Sequence, residues 1–222
     1  MKTLYGIGTG PGDPELLTVK ATRVIKSASV IFAPNNKGTN MALDTAKEYI
    51  GSTRVVMLDF PMGKVTRDDY IKAAEIIYKE IQPGEIGAFL TIGDPMIYST
   101  FIYIMEELEG ADIEINIVPG IPSFVAAASE SKVALTVKGD NFLLCDEFDE
   151  ELLDNVDSIA ILKTFKDKEV LLDNLCENNI DFTYIRRASM EDQMITGDKD
   201  KILEDKDYIS LILGRKKLED KQ

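Results

Sequence analysis

The sequence predicts an α/β protein whose first half is a parallel sheet covered by helices on both faces. Three observations predict it. Short runs of Val, Ile, Leu and Ala alternate with stretches of helical period. Several runs are continuously apolar, as strands buried on both faces are. Gly, Pro and Asp gather where the runs stop, as they do at strand-to-helix corners.

The elements follow in chain order. Residues 3–7 read as a strand that runs into a glycine-rich corner. A helix is expected over 15–28, with Asp13 placed to cap it and Pro14 at its first position. A short buried strand over 30–33 precedes a helix over 42–50 that Gly51 closes. A strand over 54–58 and a helix over 69–81 come next, the helix ending before Pro83-Gly84. Residues 86–92 form an unbroken apolar run and read as a central strand. A helix over 98–109 stops at Gly110, and 113–118 is a further strand. This alternation implies parallel strands joined by helical crossovers.

The second half changes character. A small-residue helix begins in "PGIPSFVAAASES". Strands are expected over 141–145, 158–162, 182–185, 193–196 and 208–213, with helices over 149–153 and 168–178. The closer spacing of the later strands suggests a mixed sheet with antiparallel neighbours. The expected domains are therefore 1–118, with a mainly parallel sheet, and 119–222, with a mixed one.

Composition excludes several chemistries. The chain has no histidine, so serine–histidine triads, HExxH zinc sites and imidazole ligands are ruled out. Cys145 and Cys176 form no metal-knuckle spacing and read as reduced thiols. No metal site is expected. The net charge of −14, with acids and bases interspersed, argues against a nucleic-acid partner. No uninterrupted apolar stretch reaches the length of a membrane span, and the opening "MKTLYGIG" runs directly into a strand rather than a signal core. A cytoplasmic protein is expected, without membrane contact.

Two corners attract attention. In "GIGTGPGD" neither register completes GxGxxG, because Pro11 or Asp13 holds the last position. Asp13 also sets a negative charge where a pyrophosphate would sit. "PMGKVT" fails as a phosphate loop, since Val65 occupies the Ser/Thr position. The first corner thus suits a ligand without phosphate, or is simply a tight turn. Gly93-Asp94-Pro95 follows the central strand, at the end where open α/β sheets bind ligands. The alternative is that Asp94 only caps the next helix.

These stretches, "GIGTGPGDPELLTVKA" (6–21), "GDPMIYSTF" (93–101), "VPGIPSFVAAA" (118–128) and "RRASMEDQ" (186–193), together resemble the tetrapyrrole methylases. Members of that family use S-adenosylmethionine (SAM) to methylate corrin and porphyrin precursors. "YSTF" followed by "VPGIPSF" is similar to the branch that acts on precorrin-2, or cobalt-precorrin-2, at C20. The resemblance implies a homodimer of two-domain chains, with SAM in a cleft between the domains and a tetrapyrrole as substrate. Carried over by motif, Pro11, Ile92, Gly93, Asp94, Ile97, Pro122, Ser123, Leu162 and Ala188 would contact SAM. Pro122 departs from the threonine common in relatives, and Ser123 is the substitute hydroxyl. Asp94 and Tyr98 are the nearest candidates for a base that removes the C20 proton, although SAM positioning explains Asp94 equally well. Lys37, Arg67 and Arg186, with Lys20, Lys64 and Arg187, are candidates to hold the substrate carboxylates. Any cobalt would arrive inside the substrate. The alternatives are a relative acting at another ring position, on RNA or on a modified histidine, and a binding module without turnover.

Overall fold

The computed structural model describes residues 1–35, 40–61 and 65–216. The chain divides into two compact units, Met1–Pro122 and Ser123–Gln222.

The first unit contains β1 (Lys2–Gly8), α1 (Val19–Ser27), β2 (Val30–Asn35), α2 (Met41–Ile50), β3 (Arg54–Asp59), α3 (Arg67–Glu80), β4 (Ile86–Thr91), α4 (Thr100–Glu107) and β5 (Ile113–Val118). Its sheet has the order β3-β2-β4-β1-β5, and every pairing is parallel. The chain moves outward from β1 to β3 and then returns to insert β4 between β2 and β1. Successive side chains of each strand feed opposite faces. Leu4, Phe32 and Phe89 pack with Ile77 of α3 and Phe101 and Ile104 of α4. Ile7, Ile31 and Leu90 pack on the other face with Ile25 of α1 and Ala46 of α2. Both faces are covered, which explains why the central strands read as unbroken apolar runs. Gly6 is part of the packing: a Cβ there would lie 2.2 Å from the Phe101 ring.

The helix expected over 15–28 is two elements. Asp13 accepts a hydrogen bond from Glu15 N (2.8 Å) and caps only a 3-10 turn at Pro14–Leu16. Leu17 is extended, with ψ 133°, and Thr18 then caps α1 by accepting from Ala21 N (3.1 Å). A Thr hydroxyl at the right spacing restarts the helix after the break. The helix expected from residue 98 starts at Thr100, because Ser99 caps it and Tyr98 is left-handed with φ 46°.

The second unit contains α5 (Ser123–Ser131), β6 (Phe142–Cys145), β7 (Ser158–Leu162), α6 (Lys168–Glu177), β8 (Ile180–Arg186), β9 (Met194–Thr196), α7 (Lys199–Glu204) and β10 (Ser210–Lys216). Residues 149–153 supply a 3-10 turn, Glu150–Leu153, rather than an α-helix. The sheet order is β6-β7-β10-β8-β9. β6 and β7 are parallel and the other pairs antiparallel, which is the mixed sheet the spacing predicted. Ile159, Ile161, Leu172, Leu175, Tyr184 and Ile212 centre its core. Helix α7 was not anticipated. It is short and charged, and Asp198 caps it by accepting from Asp200 N and Lys201 N while Ile202 is fully buried.

Candidate active site

The carboxyl ends of β4, β1 and β5 are neighbours in the first sheet, and each runs into a loop without regular structure. Backbone contacts lock these loops together. Gly10 N donates to Gly93 O (3.2 Å) and Gly93 N to Gly10 O (2.7 Å). Both glycines have positive φ, 75° and 72°, which only glycine adopts without penalty. Gly8 and Gly120 admit no side chain. A Cβ on Gly8 would lie 2.5 Å from Gly120 N and from Gly93 O, and one on Gly120 would lie 2.1 Å from Gly93 O. The four glycines therefore let three strand ends approach at backbone distance.

Asp94 ties the corner. Its Oδ1 accepts from Met96 N (2.8 Å) and its Oδ2 from Gly120 N (3.0 Å), so one carboxylate joins the loop after β4 to the loop after β5. It does not cap the following helix. Ser99 does that, accepting from Phe101 N (3.1 Å) while its hydroxyl lies 3.2 Å from Thr91 Oγ1. Thr9, fully buried, donates to Thr91 O (3.1 Å) and completes a hydroxyl layer beneath the corner.

Among the expected SAM contacts, Pro11, Ile92, Gly93, Asp94, Ile97 and Pro122 all belong to these loops. Pro11 is buried, Ile97 and Pro122 are half-buried, and Ile92 is exposed. Beyond Gly93 the space is open: the nearest atom to a Cβ built there is Pro122 Cα, 4.0 Å away. A ligand can press directly on that backbone. The result is a glycine-lined shelf, and among the described residues no group of three or more His, Cys, Asp or Glu is placed to hold a metal ion.

In the second unit Ser123 opens α5 and Leu162 ends β7, opposite Leu211 of β10. Ala188 is buried in the turn after β8. Arg187 and Ser189 on either side of it are left-handed, with φ 49° and 68°. That turn is braced: Arg187 donates through Nε to Asp207 and through Nη1 to Asp192, both at 2.6 Å, and Ser189 N donates to Gln193 Oε1 (2.6 Å).

The basic residues expected for substrate are distributed differently. Arg186 pairs with Asp205 (3.1 Å) and donates to Asp192 O (3.0 Å). Arg67, largely exposed, pairs with Glu107 (2.7 Å). Lys37 and Lys64 lie outside the described residues.

One cluster escaped sequence reasoning. Lys168 is buried; its ammonium donates to Ile202 O (2.8 Å) and to Asp205 O, carbonyls at the end of α7. Burial pushes its pKa down, against the opposing pull of Asp205. Tyr184, fully buried, has its phenol pushed up to about 12, chiefly by burial. Its hydroxyl has no partner of hydrogen-bonding geometry among the described residues, although Ser210 and Asp205 are polar neighbours. For Asp205 burial works upward but is outweighed by the Asp207 N–H and the charges of Arg186 and Lys168, so its carboxyl sits below the usual range. The sequence signal was slight: a lysine at the first position of a helix gives no hint of burial.

A parallel sheet ending in a glycine-lined shelf, followed by a mixed five-stranded sheet, defines a two-unit α/β protein. The chain belongs to the tetrapyrrole (corrin/porphyrin) methylases, whose family model matches residues 3–201. It is similar to the probable cobalt-precorrin-2 C(20)-methyltransferase of Methanocaldococcus jannaschii, with 36% identity over 96% of both chains. The cobalt-precorrin-2 C(20)-methyltransferase of Salmonella typhimurium is 31% identical over 73% of each. Among solved structures, a cobalt precorrin-4 methyltransferase superposes with TM-score 0.75 at 19% identity, covering 96% of this chain and 94% of the other. The uroporphyrin-III C-methyltransferase of Thermus thermophilus complexed with S-adenosylhomocysteine gives 0.72 at 18%, covering 96% and 97%. The expected fold and family are thus both found.

Proposed function

We propose that the protein transfers a methyl group from SAM to the C20 meso carbon of cobalt-precorrin-2 in cobalamin biosynthesis. The observation that carries this reading is the end-to-end similarity to the Methanocaldococcus enzyme, at 36% identity. We further propose a cytoplasmic homodimer that holds no metal of its own. No helix among the described residues is long and apolar enough to cross a membrane.

SAM, when bound, supplies a methyl group already activated by the sulfonium charge. The new bond forms between C20 and the methyl carbon as the sulfur–carbon bond breaks, S-adenosylhomocysteine leaves, and C20 then gives up its proton. What remains for the protein is placement, which accounts for roughly 7–11 kcal/mol in well-oriented reactions. Gly93 and the backbone around it form the shelf for the donor. Asp94 acts at least by position: its two oxygens accept from Met96 N and Gly120 N and hold the shelf to the loop after β5. Tyr98 stands on the same loop, with 48% of its surface exposed. Leu162 and Ala188 keep the adenine contacts and Ser123 the hydroxyl that the resemblance assigns to them.

The test is incubation with SAM and cobalt-precorrin-2, followed by mass spectrometry and NMR of the product. A gain of one CH2 at C20 is expected. A gain only with another intermediate would move the substrate within the family. S-adenosylhomocysteine binding without turnover on any intermediate would indicate a binding module.

A further inference from the structure

We propose that Asp205 and Asp207 are positioning residues for the donor: they clamp Arg186 and Arg187 and so hold the turn around Ala188 in the shape that receives adenine. This rests on the functional reading above, which gives Ala188 the adenine contact. The first observation is the backbone of that turn. Arg187 and Ser189 have φ 49° and 68° and enclose the buried Ala188. Among the described residues, no other two non-glycine residues of positive φ lie two apart in the chain. A residue with a side chain adopts this conformation at a cost, and keeps it only where its surroundings over-determine it.

The second observation is how the clamp is built. Each carboxylate divides its oxygens. Asp205 Oδ1 accepts from Asp207 N (2.8 Å) and its Oδ2 from Arg186 Nη1 (3.1 Å). Asp207 Oδ1 accepts from Ile209 N (2.9 Å) and its Oδ2 from Arg187 Nε (2.6 Å). One oxygen fixes the acid's own segment, and the other fixes an arginine of the turn. Arg187 N donates to Ile209 O (2.9 Å) and closes the frame. Lys168 anchors the segment in turn, its buried ammonium donating to Ile202 O (2.8 Å) and to Asp205 O. The side chains of Asp205 and Asp207 are only 6% and 18% exposed, so solvent screens these pairs less than surface pairs.

The third observation is where the clamp acts. The ladder between β8 and β10 runs from Ile180 opposite Lys216 to Arg186 opposite Ser210. Asp205 and Asp207 precede Ser210, and Arg187 follows Arg186, so the clamp begins where the ladder stops. Sheet pairing is complete without it, and what it adds is the shape of the turn.

The test has two arms, both read by S-adenosylhomocysteine calorimetry, by kcat and KM for SAM and cobalt-precorrin-2, and by melting temperature. In the first, Asp205→Asn and Asp207→Asn each keep an oxygen for the backbone N–H and lose the charge that holds the arginine. Each should weaken S-adenosylhomocysteine binding and raise the KM for SAM about tenfold, the scale of one charge-assisted bond. The tetrapyrrole KM and the kcat at saturating SAM should stay within about twofold, since only donor placement is touched. Asp173→Asn breaks an exposed ion pair with Lys199 elsewhere in the unit, and should leave donor affinity within about twofold. In the second arm, Arg187→Ala and Arg187→Gly both remove the pairs, but only glycine adopts the positive φ without them. Arg187→Ala should lose about tenfold in donor affinity, and Arg187→Gly should recover most of that loss. Equal losses in the two Arg187 variants overturn the clamp, because the side chain itself would then be what the donor needs. Asp205 and Asp207 variants that melt lower yet bind the donor as the wild type does make the pairs structural and overturn it too. So does an Asp173→Asn protein that loses as much affinity as Asp207→Asn, since any loosening of the unit would then suffice. A wild-type protein that binds no S-adenosylhomocysteine removes the functional reading and this inference with it; one that binds it but methylates a different tetrapyrrole corrects the substrate and leaves the clamp to be decided by the variants' donor affinities.

Discussion

Asp94 shows how a residue picked out for chemistry can serve geometry. Its two oxygens accept from Met96 N and Gly120 N, so the carboxylate joins the loops after β4 and β5. Asparagine keeps only one acceptor oxygen. Asp94→Asn should therefore leave one backbone N–H without its partner and cost roughly 1–3 kcal/mol in urea denaturation. Calorimetry should show weaker S-adenosylhomocysteine binding at the same time. Full stability with lost turnover would return Asp94 to the role of proton acceptor. Tyr184 makes a second case at this scale. Its phenol is raised from 10.0 to about 12, so the folded state keeps a proton that the unfolded chain releases above pH 10. Its contribution is intact below pH 10 and declines by about 1.4 kcal/mol per pH unit as the pH climbs towards 12. Tyr184→Phe should flatten that alkaline limb. Because the hydroxyl is buried without a geometric partner, its removal should cost less than about 1 kcal/mol at neutral pH. Unchanged alkaline slopes in the two proteins would place the titration elsewhere.

At the scale of elements, the site depends on strand ends that approach more closely than side chains allow. Gly120→Ala places a Cβ 2.1 Å from the Gly93 carbonyl, a backbone atom that cannot turn aside. The loops after β4 and β5 must separate, at a cost of roughly 1–3 kcal/mol, and the donor shelf separates with them. Weakened S-adenosylhomocysteine binding with the sheet still folded, seen by calorimetry and far-ultraviolet circular dichroism, is the expected result; normal affinity would show that the shelf tolerates displacement. This closeness was only partly legible in the sequence. Glycine and proline announced corners after β1 and β4, and the unbroken apolar runs announced strands covered on both faces. The partners were not announced, because Gly10 meets Gly93 and Asp94 meets Gly120 through the insertion of β4 beside β1, which no local pattern encodes. The break between Pro14–Leu16 and α1 was missed because one helical period continues through it, while two competing caps, Asp13 and Thr18, divide it. Helix α7 was missed because one buried Ile202 gives no period to detect.

For the molecule as a whole, charge sets a conflict with the proposed reaction. The chain carries −14, the donor SAM is a cation, and the tetrapyrrole is a polycarboxylate. Among the arginines named for substrate, Arg67 and Arg186 are already paired with Glu107 and Asp205, and Arg187 with Asp192 and Asp207. The long-range field is thus acidic, drawing the donor in and holding the acceptor off. Screening should act on the two substrates in opposite directions. The Debye length shrinks from roughly 30 Å at 0.01 M salt to about 8 Å at 0.15 M. Across that range the KM for cobalt-precorrin-2 should fall and the KM for SAM should rise, with kcat little changed, because the bound groups touch the same residues at either salt. A tetrapyrrole KM that climbs with salt would mean that local basic groups outweigh the net charge at the point of entry. Parallel changes for both substrates would mean that salt acts on the fold, which the melting temperature measured in the same buffers would reveal.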